Sequence, residues 1–280
     1  MKVLISTDIE GVAGVYHGEQ TRAGNPEFER ARLLMAHEAN AAVAGAFDAG
    51  ATEVLVNDSH GGFRNMPPDV LDARARVVQG KPRYLSMVAG VEEGVDALCM
   101  VGYHSRAQGR GILAHTINSF AFAGISLGSS SNSNSHRGEL GEAGLYGALA
   151  GEYGVPVVMA SGDDVFIDEN RALFPHARFV QTKRATGFTS GVSLSPEQSR
   201  VAIRAGVAEG LAARAACKPL VFAGPQTVTL RTQSPAMADL FCQWPTFERV
   251  DGVTLRFAAD SVEAAVRMLN CCSAMSAMLR

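Results

Sequence analysis

The residues most able to do chemistry in this chain follow short apolar runs. Asp8-Ile9-Glu10-Gly11 comes after Lys2–Thr7, and Asn57-Asp58-Ser59-His60-Gly61 closes a run that starts at Glu53. Gly102-Tyr103-His104 follows Ala97–Val101, and Ser161-Gly162-Asp163-Asp164 follows Val155–Ala160. Carboxylates and imidazoles are the ligands that Zn2+ binds at about 2.0–2.2 Å. Asp8 and Glu10 would share a face if the strand continued, so one Asp could bridge two ions. Each piece has an ordinary alternative: a cap or solvated loop for Asp8 and Glu10, a turn for Asp58 and Ser59, a satisfied buried imidazole for His104. Their coincidence after successive strands favours a metal.

Two more candidates lie outside the strand ends. His115 follows Gly109-Arg110-Gly111, a loop able to bring it against a substrate. Glu142 lies in the first turn of a helix, where an acid also complements the dipole, and its neighbour Glu139 competes for the role. His17, His37, His136 and His176 read as surface residues. The five cysteines have no ligand spacing and an odd count, which argues against a disulfide framework and for a reducing compartment. Neither a Gly-x-Gly-x-x-Gly after the first strand nor a Walker loop occurs, so a nucleotide would lack its usual cradle.

Positioning such residues together requires a sheet whose strands end at one edge, and the chain spells one out. Lys2–Thr7 reads as a buried strand. Asn25-Pro26-Glu27 opens a helix with an N-cap, a proline in the first turn and an acid, and Phe28, Ala31, Met35, Ala39 and Val43 continue it at helical spacing to Gly50. Glu53–Asn57 then completes a βαβ unit, which implies a parallel sheet with a right-handed crossover. Ala97–Val101 and Val155–Ala160 extend it, the second preceded by a helix from about Glu139 to Glu152. In open α/β sheets ligands collect at the carboxyl ends of the strands.

Phe120–Leu127 reads as another strand, and the Gly/Ser/Asn stretch at 128–135 as a mobile polar loop. Beyond Arg184 the pattern predicts a helix from Ser195 to Ala215, strands at Leu220–Phe222 and Gln226–Arg231, a hairpin at Asp251-Gly252 and a last helix from Ser261. The expected fold is α/β, a parallel-rich sheet flanked by helices in a metal-binding catalytic domain (1–185), with a smaller α+β domain at 186–280.

Composition narrows the function classes. With 25 Lys and Arg against 28 Asp and Glu in 280 residues, the formal charge is −3, which excludes nucleic-acid binding by bulk charge. Hydrophobic residues at 47% fill a sizeable core, and only 19% charged residues suggest surface hidden in subunit contacts. No run approaches the ~18 apolar residues of a membrane helix, and the N-terminal run is too short for a signal peptide. A cytoplasmic protein is the expectation.

Several of these stretches together are recognisable. Met1–Gly14, Val54–Gly61, Gly102–Ala107, Gly111–Thr116, Gly141-Glu142-Ala143-Gly144-Leu145 and Val155–Asp164 resemble, in order, the zinc-dependent D-aminopeptidases of peptidase family M55. The resemblance implies a two-zinc site. Asp8 would match the bridging ligand, Glu10 and His60 would complete one ion, and His104 and Glu142 the other, because Gly-Glu-Ala-Gly-Leu selects Glu142 over Glu139. His115 would match the catalytic residue, described in the family as the nucleophile; with a two-zinc-activated water available, proton transfer is the chemically simpler role. The family further implies N-terminal D-amino acids released from short peptides such as D-Ala-D-Ala, and a homodecamer of two pentameric rings. The stretch between His115 and Glu142 is longer than the family pattern, through the Ser/Asn-rich segment. A metal-dependent phosphohydrolase and a non-catalytic peptide-binding protein are the alternatives, the first lacking a phosphate cradle.

Overall fold

A computed structural model describes residues 1–129 and 138–280. The strands are β1 (Lys2–Thr7), β2 (Glu53–Asp58), β3 (Arg76–Val78), β4 (Ala97–Val101), β5 (Phe122–Ser129), β6 (Val157–Asp163), β7 (Arg178–Gly187), β8 (Ser190–Ser193), β9 (Gln226–Thr232), β10 (Glu248–Arg249) and β11 (Thr254–Ala259). The α-helices are α1 (Gly18–Thr21), α2 (Pro26–Asp48), α3 (Glu142–Glu152), α4 (Asp164–Asn170), α5 (Pro196–Ala212), α6 (Pro235–Phe241) and α7 (Val262–Met275). A seven-stranded sheet has the order β3-β2-β1-β4-β6-β7-β8, and a four-stranded sheet the order β10-β11-β9-β5. The large sheet is parallel except for its last pair, β7 with β8; the small one is antiparallel.

Both faces of the large sheet are covered, which is why its strands read as unbroken apolar runs. Val3, Ile5, Val54, Val56, Cys99 and Val101 pack under α2 and α5. Leu4, Leu55, Leu98 and Met100, pointing the other way, join a core shared with α3, α7 and the small sheet. Asn25 caps α2 through Phe28 N, with Pro26 at its first position as expected. Gly45 of α2 lies so close to α5 that a Cβ there would collide with the Arg204 carbonyl.

The chain crosses between the layers more than once. β5, from the first part of the chain, pairs with β9 in the small sheet, whereas β8 and α5, from the second, complete the large sheet and its helical layer. Leu220–Phe222, expected as a strand, is irregular. Pro219 and Pro225 bracket it, each lacking an N–H for a ladder. The pair β7–β8 had no counterpart in the sequence reading. Ser129 ends β5, and most of the Ser/Asn-rich segment, with His136, lies in 130–137, outside the described residues.

Candidate metal centre

Register explains why distant residues meet. Thr7 of β1 pairs with Asp58 of β2 and with Val101 of β4, so Asp8, His60 and His104 all emerge just beyond one aligned edge. Strand order reverses between β1 and β4, and such a switch point opens a crevice at the carboxyl ends. Asp8 and His104 face each other across it, with His104 Nε2 3.3 Å from Asp8 Oδ2. On the other side His60 Nδ1 lies 3.2 Å from Asp8 Oδ1 and 3.1 Å from Glu10 Oε2. Glu142, the first residue of α3, brings Oε2 within 3.4 Å of His104 Nε2.

Glu139 stands apart. It precedes α3 and is ion-paired to Arg106 at 2.8 Å and Arg231 at 2.7 Å. Nor do Asp163 and Asp164 reach the cluster. Asp163 caps α4 through Phe166 N and accepts from Ile112 N at 2.7 Å, while Asp164 accepts from Ala185 N. The acids after the fourth apolar run are thus scaffolding, because β6 continues through Asp163 instead of ending at Ala160.

The donor atoms fit a metal. His104 Nε2 and Glu10 Oε2 are buried without a hydrogen-bond partner, although charged oxygens and imidazole nitrogens lie beside them. Ligand atoms of Asp8, Glu10 and His104 fall within 4.8 Å of one another, as do those of His104, His115 and Glu142. Orphaned buried groups are costly unless something joins them, and a cation shared by these oxygens and nitrogens would do so.

Hydrogen bonds on the far side of each ring set which nitrogen is free. His104 Nδ1 lies 3.0 Å from the Ser105 carbonyl and His60 Nε2 2.8 Å from the Thr21 carbonyl. A carbonyl can only accept, so those nitrogens carry the hydrogens, leaving His104 Nε2 and His60 Nδ1 with lone pairs toward the cluster. His115 follows the same rule: Nδ1 donates to Leu113 O at 2.8 Å, and Nε2 faces Glu142 Oε1 at 3.8 Å. Its ring stacks on His104 at 4.1 Å.

Burial disfavours charged imidazoles, yet Glu10 and Asp8 hold His60 well above its ordinary pKa, and Glu142 and Asp8 do the same for His104. Burial would raise Glu10 and Glu142, but the imidazoles, His60 for the first and His104 for the second, hold both below the usual carboxylate range. Metal binding to these residues would release protons from them.

Other groups fix the loops that carry these residues. Lys183 Nζ donates to the carbonyls of Glu10 at 2.5 Å and Val15 at 2.6 Å, Thr182 Oγ1 to Gly11 O, and Ala13 N to the Glu38 carboxylate. A Cβ on Gly11 would collide with the Tyr103 carbonyl. A buried hydroxyl chain, Ser59–Ser6–Tyr103, ties the ends of β2, β1 and β4. The His115 loop is strained: Gln108, Leu113 and Ile117 have φ of 63°, 54° and 61°, which side-chain-bearing residues adopt only when the surroundings enforce it.

A cavity of about 1200 Å³ opens over the cluster, lined by Asp8, Glu10, His60, His115 and Glu142. His17, expected at the surface, is exposed, caps α1 and also lines the cavity. Lys183, Glu38 and the Thr21 carbonyl were missed from sequence; only Glu38, on the inward face of α2, had a periodicity that could have marked it.

Similarity to known proteins agrees with this geometry. The family model for M55 peptidases, described as D-aminopeptidases, matches residues 1–271. A D-aminopeptidase of Bacillus subtilis (strain 168) is 31% identical over 271 residues, 96% of each chain. A solved structure, the Zn-dependent D-aminopeptidase DppA from Bacillus subtilis, described as a self-compartmentalizing protease, superposes with a TM-score of 0.92 at 28% identity, covering 99% of this chain and 98% of that one. On the strength of a family match that spans nearly its whole length, this chain belongs to the M55 family of D-aminopeptidases.

Proposed function

We propose that the protein is a zinc-dependent aminopeptidase that releases the N-terminal residue, a D-amino acid, from short peptides of the D-Ala-D-Ala type. One observation carries the reading: two orphaned ligand atoms, His104 Nε2 and Glu10 Oε2, lie in one buried cluster with Asp8, His60 and Glu142. In this assignment Asp8 would serve both of two ions, with Glu10 and His60 Nδ1 as ligands for one and His104 Nε2 and Glu142 for the other. A metal pair supplies Lewis-acid polarisation of the scissile carbonyl and acidifies water.

The protein's own groups do the rest. His115, its Nδ1 occupied by Leu113 O, presents Nε2 to the cavity. An imidazole so placed can take a proton from attacking water and return it to the leaving amine. The strained backbone at Leu113 and Ile117 holds that ring in place, and Ile117 N orients Glu142 by donating to Oε1 at 2.6 Å. The free α-amine of the substrate would be a further ligand for the bound metal, which would fix the register and favour an exopeptidase.

We assign the same ring assembly to this chain as the family resemblance implies, a decamer, supported by its low charge. Light scattering near ten times 29.5 kDa supports it, and a monomer contradicts it. Zinc counting on purified protein, coupled to amine release from D-Ala-D-Ala with the L isomer as control, tests the activity. Two zinc per chain with release from the D peptide alone is expected. Full zinc occupancy with no release from a panel of D-peptides would favour a peptide-binding protein and overturn the proposal.

A further inference from the structure

The cavity above the acidic cluster has a second wall of opposite charge. Lys81 Nζ lies 4.6 Å and Arg83 Cζ 3.9 Å from the centroid of the Phe63 ring, and all three residues line the cavity. Arg83 donates only to neutral oxygens: Val78 O at 3.1 Å, Asn57 Oδ1 at 2.7 Å and the Asp58 carbonyl at 2.5 Å. Its buried Nε has no partner. The Asp58 carboxylate turns elsewhere, to the backbone N–H groups of Asn65 and Met66 and the side-chain amides of Asn65 and Gln79. Among the described residues neither cation forms an ion pair, and Lys81 makes no hydrogen bond.

Two like charges therefore lie against one aromatic ring with no ion-pair partner among the described residues. Partial burial and the neighbouring guanidinium both lower Lys81, and burial brings Arg83 down to about 10. The Phe63 face favours cations near it but does not neutralise them. An anion entering the cavity would.

The substrate class proposed above carries such an anion. A short peptide with free ends has an ammonium at one end and a carboxylate at the other, separated by at most ~3.3–3.6 Å per residue. The aminopeptidase reading places its amine at the centre formed by Asp8, Glu10, His60, His104 and Glu142, so a two- or three-residue chain would place its acid end against the walls of the same cavity. We propose that Lys81 and Arg83 form a subsite for the substrate's C-terminal carboxylate, which selects very short peptides with a free acid end. The inference rests on the aminopeptidase reading, since it is that reading which fixes the amine end.

The zinc-loaded enzyme is assayed with D-Ala-D-Ala and with its C-terminal amide. Charge-assisted recognition predicts a KM about tenfold or more higher for the amide, with kcat little changed. Lys81→Met narrows that ratio by raising the KM of the free acid. Arg83→Gln narrows it too, but Arg83 also braces the β2 loop, so the Lys81 variant decides the matter. Equal KM values for acid and amide in the unmodified enzyme, or an unaltered ratio in Lys81→Met, would overturn the subsite. If neither peptide is hydrolysed, calorimetric affinities of the two supply the same ratio. Absent turnover then counts against the aminopeptidase reading, and an affinity ratio near one against the subsite.

Discussion

The carboxyl edge of the large sheet and the small antiparallel sheet handle polar groups in opposite ways. In the small sheet, β9 alternates buried and half-buried residues along its length, and Val228, Leu230, Leu255 and Phe257 send ordinary apolar side chains to the core. At the edge of the large sheet, Asp8, Glu10, His104 and Glu142 are all under 5% exposed, and the loop between His104 and β5 contains left-handed non-glycine residues. One region is organised for packing. The other buries charge and strain that only the rest of the fold, and a ligand, can compensate.

That contrast can be broken or sharpened by mutation, ranked by effect on turnover. His104→Ala removes the nitrogen that faces both Asp8 and Glu142. Turnover should fall by far more than the ~10²-fold that loss of an outlying partner costs, with bound metal reduced in parallel. Metal analysis beside the assay checks this, and full activity with a depleted centre would refute the ligand assignment.

Next is His115→Ala. If His115 moves protons without holding metal, turnover drops by roughly 10²–10⁴ while zinc content stays the same. Loss of zinc in this variant would instead make His115 a ligand, a role its distance from Glu142 and its stacking on His104 leave geometrically open.

Asp163 and Ser261 form a matched pair of helix caps, one in each region. Ser261 accepts only from Ala264 N, so Ser261→Ala costs about 1 kcal/mol of stability and leaves turnover alone. Asp163 accepts from Phe166 N and also from Ile112 N, three residues before His115. Asp163→Ala leaves a buried donor unmet, a further ~1–3 kcal/mol, and displaces the His115 loop, where a small misplacement costs about 10²-fold. Denaturant melts and kcat for both variants test the difference; equal kcat values would erase the distinction between the regions.

Glu38→Gln has a smaller expected effect on turnover than Asp163→Ala, and its signature is in pH. Burial raises the Glu38 carboxyl from 4.5 to about 7, although Ser199 and Ala13 donate to it. The folded protein thus binds this proton more tightly than the unfolded chain. Its stabilising contribution is complete below about pH 4.5 and is lost as pH rises through about 7. Glutamine keeps an oxygen for both donors and should flatten that part of the stability profile, as melting temperatures across the range will reveal.

Much of this was legible in the sequence because β1, β2, β4 and β6 are short and apolar and each leads to residues of ligand type. β1 and β4 occupy the residues expected of them, and α2 begins where Asn25-Pro26 predicts. Glu142 could be separated from Glu139 only by family pattern. In the fold the separation is physical: α3 starts at Glu142, which makes it the inward residue. The supporting shell was illegible. Lys183 sits in a polar strand and reads as a surface lysine, yet its ammonium is buried and satisfied by two backbone carbonyls from a loop more than 160 positions earlier. Nor could local pattern show that β5 leaves its neighbours for the small sheet, since strand partners are chosen by tertiary packing.

The central claim is that the Asp8 cluster is a metal centre that drives D-peptide hydrolysis. Its most direct test is a zinc titration of the chelator-stripped enzyme, following release of D-alanine from D-Ala-D-Ala. The account predicts negligible release from the stripped protein and a rate that climbs to a plateau at two zinc per chain. Release that survives complete removal of metal would contradict it.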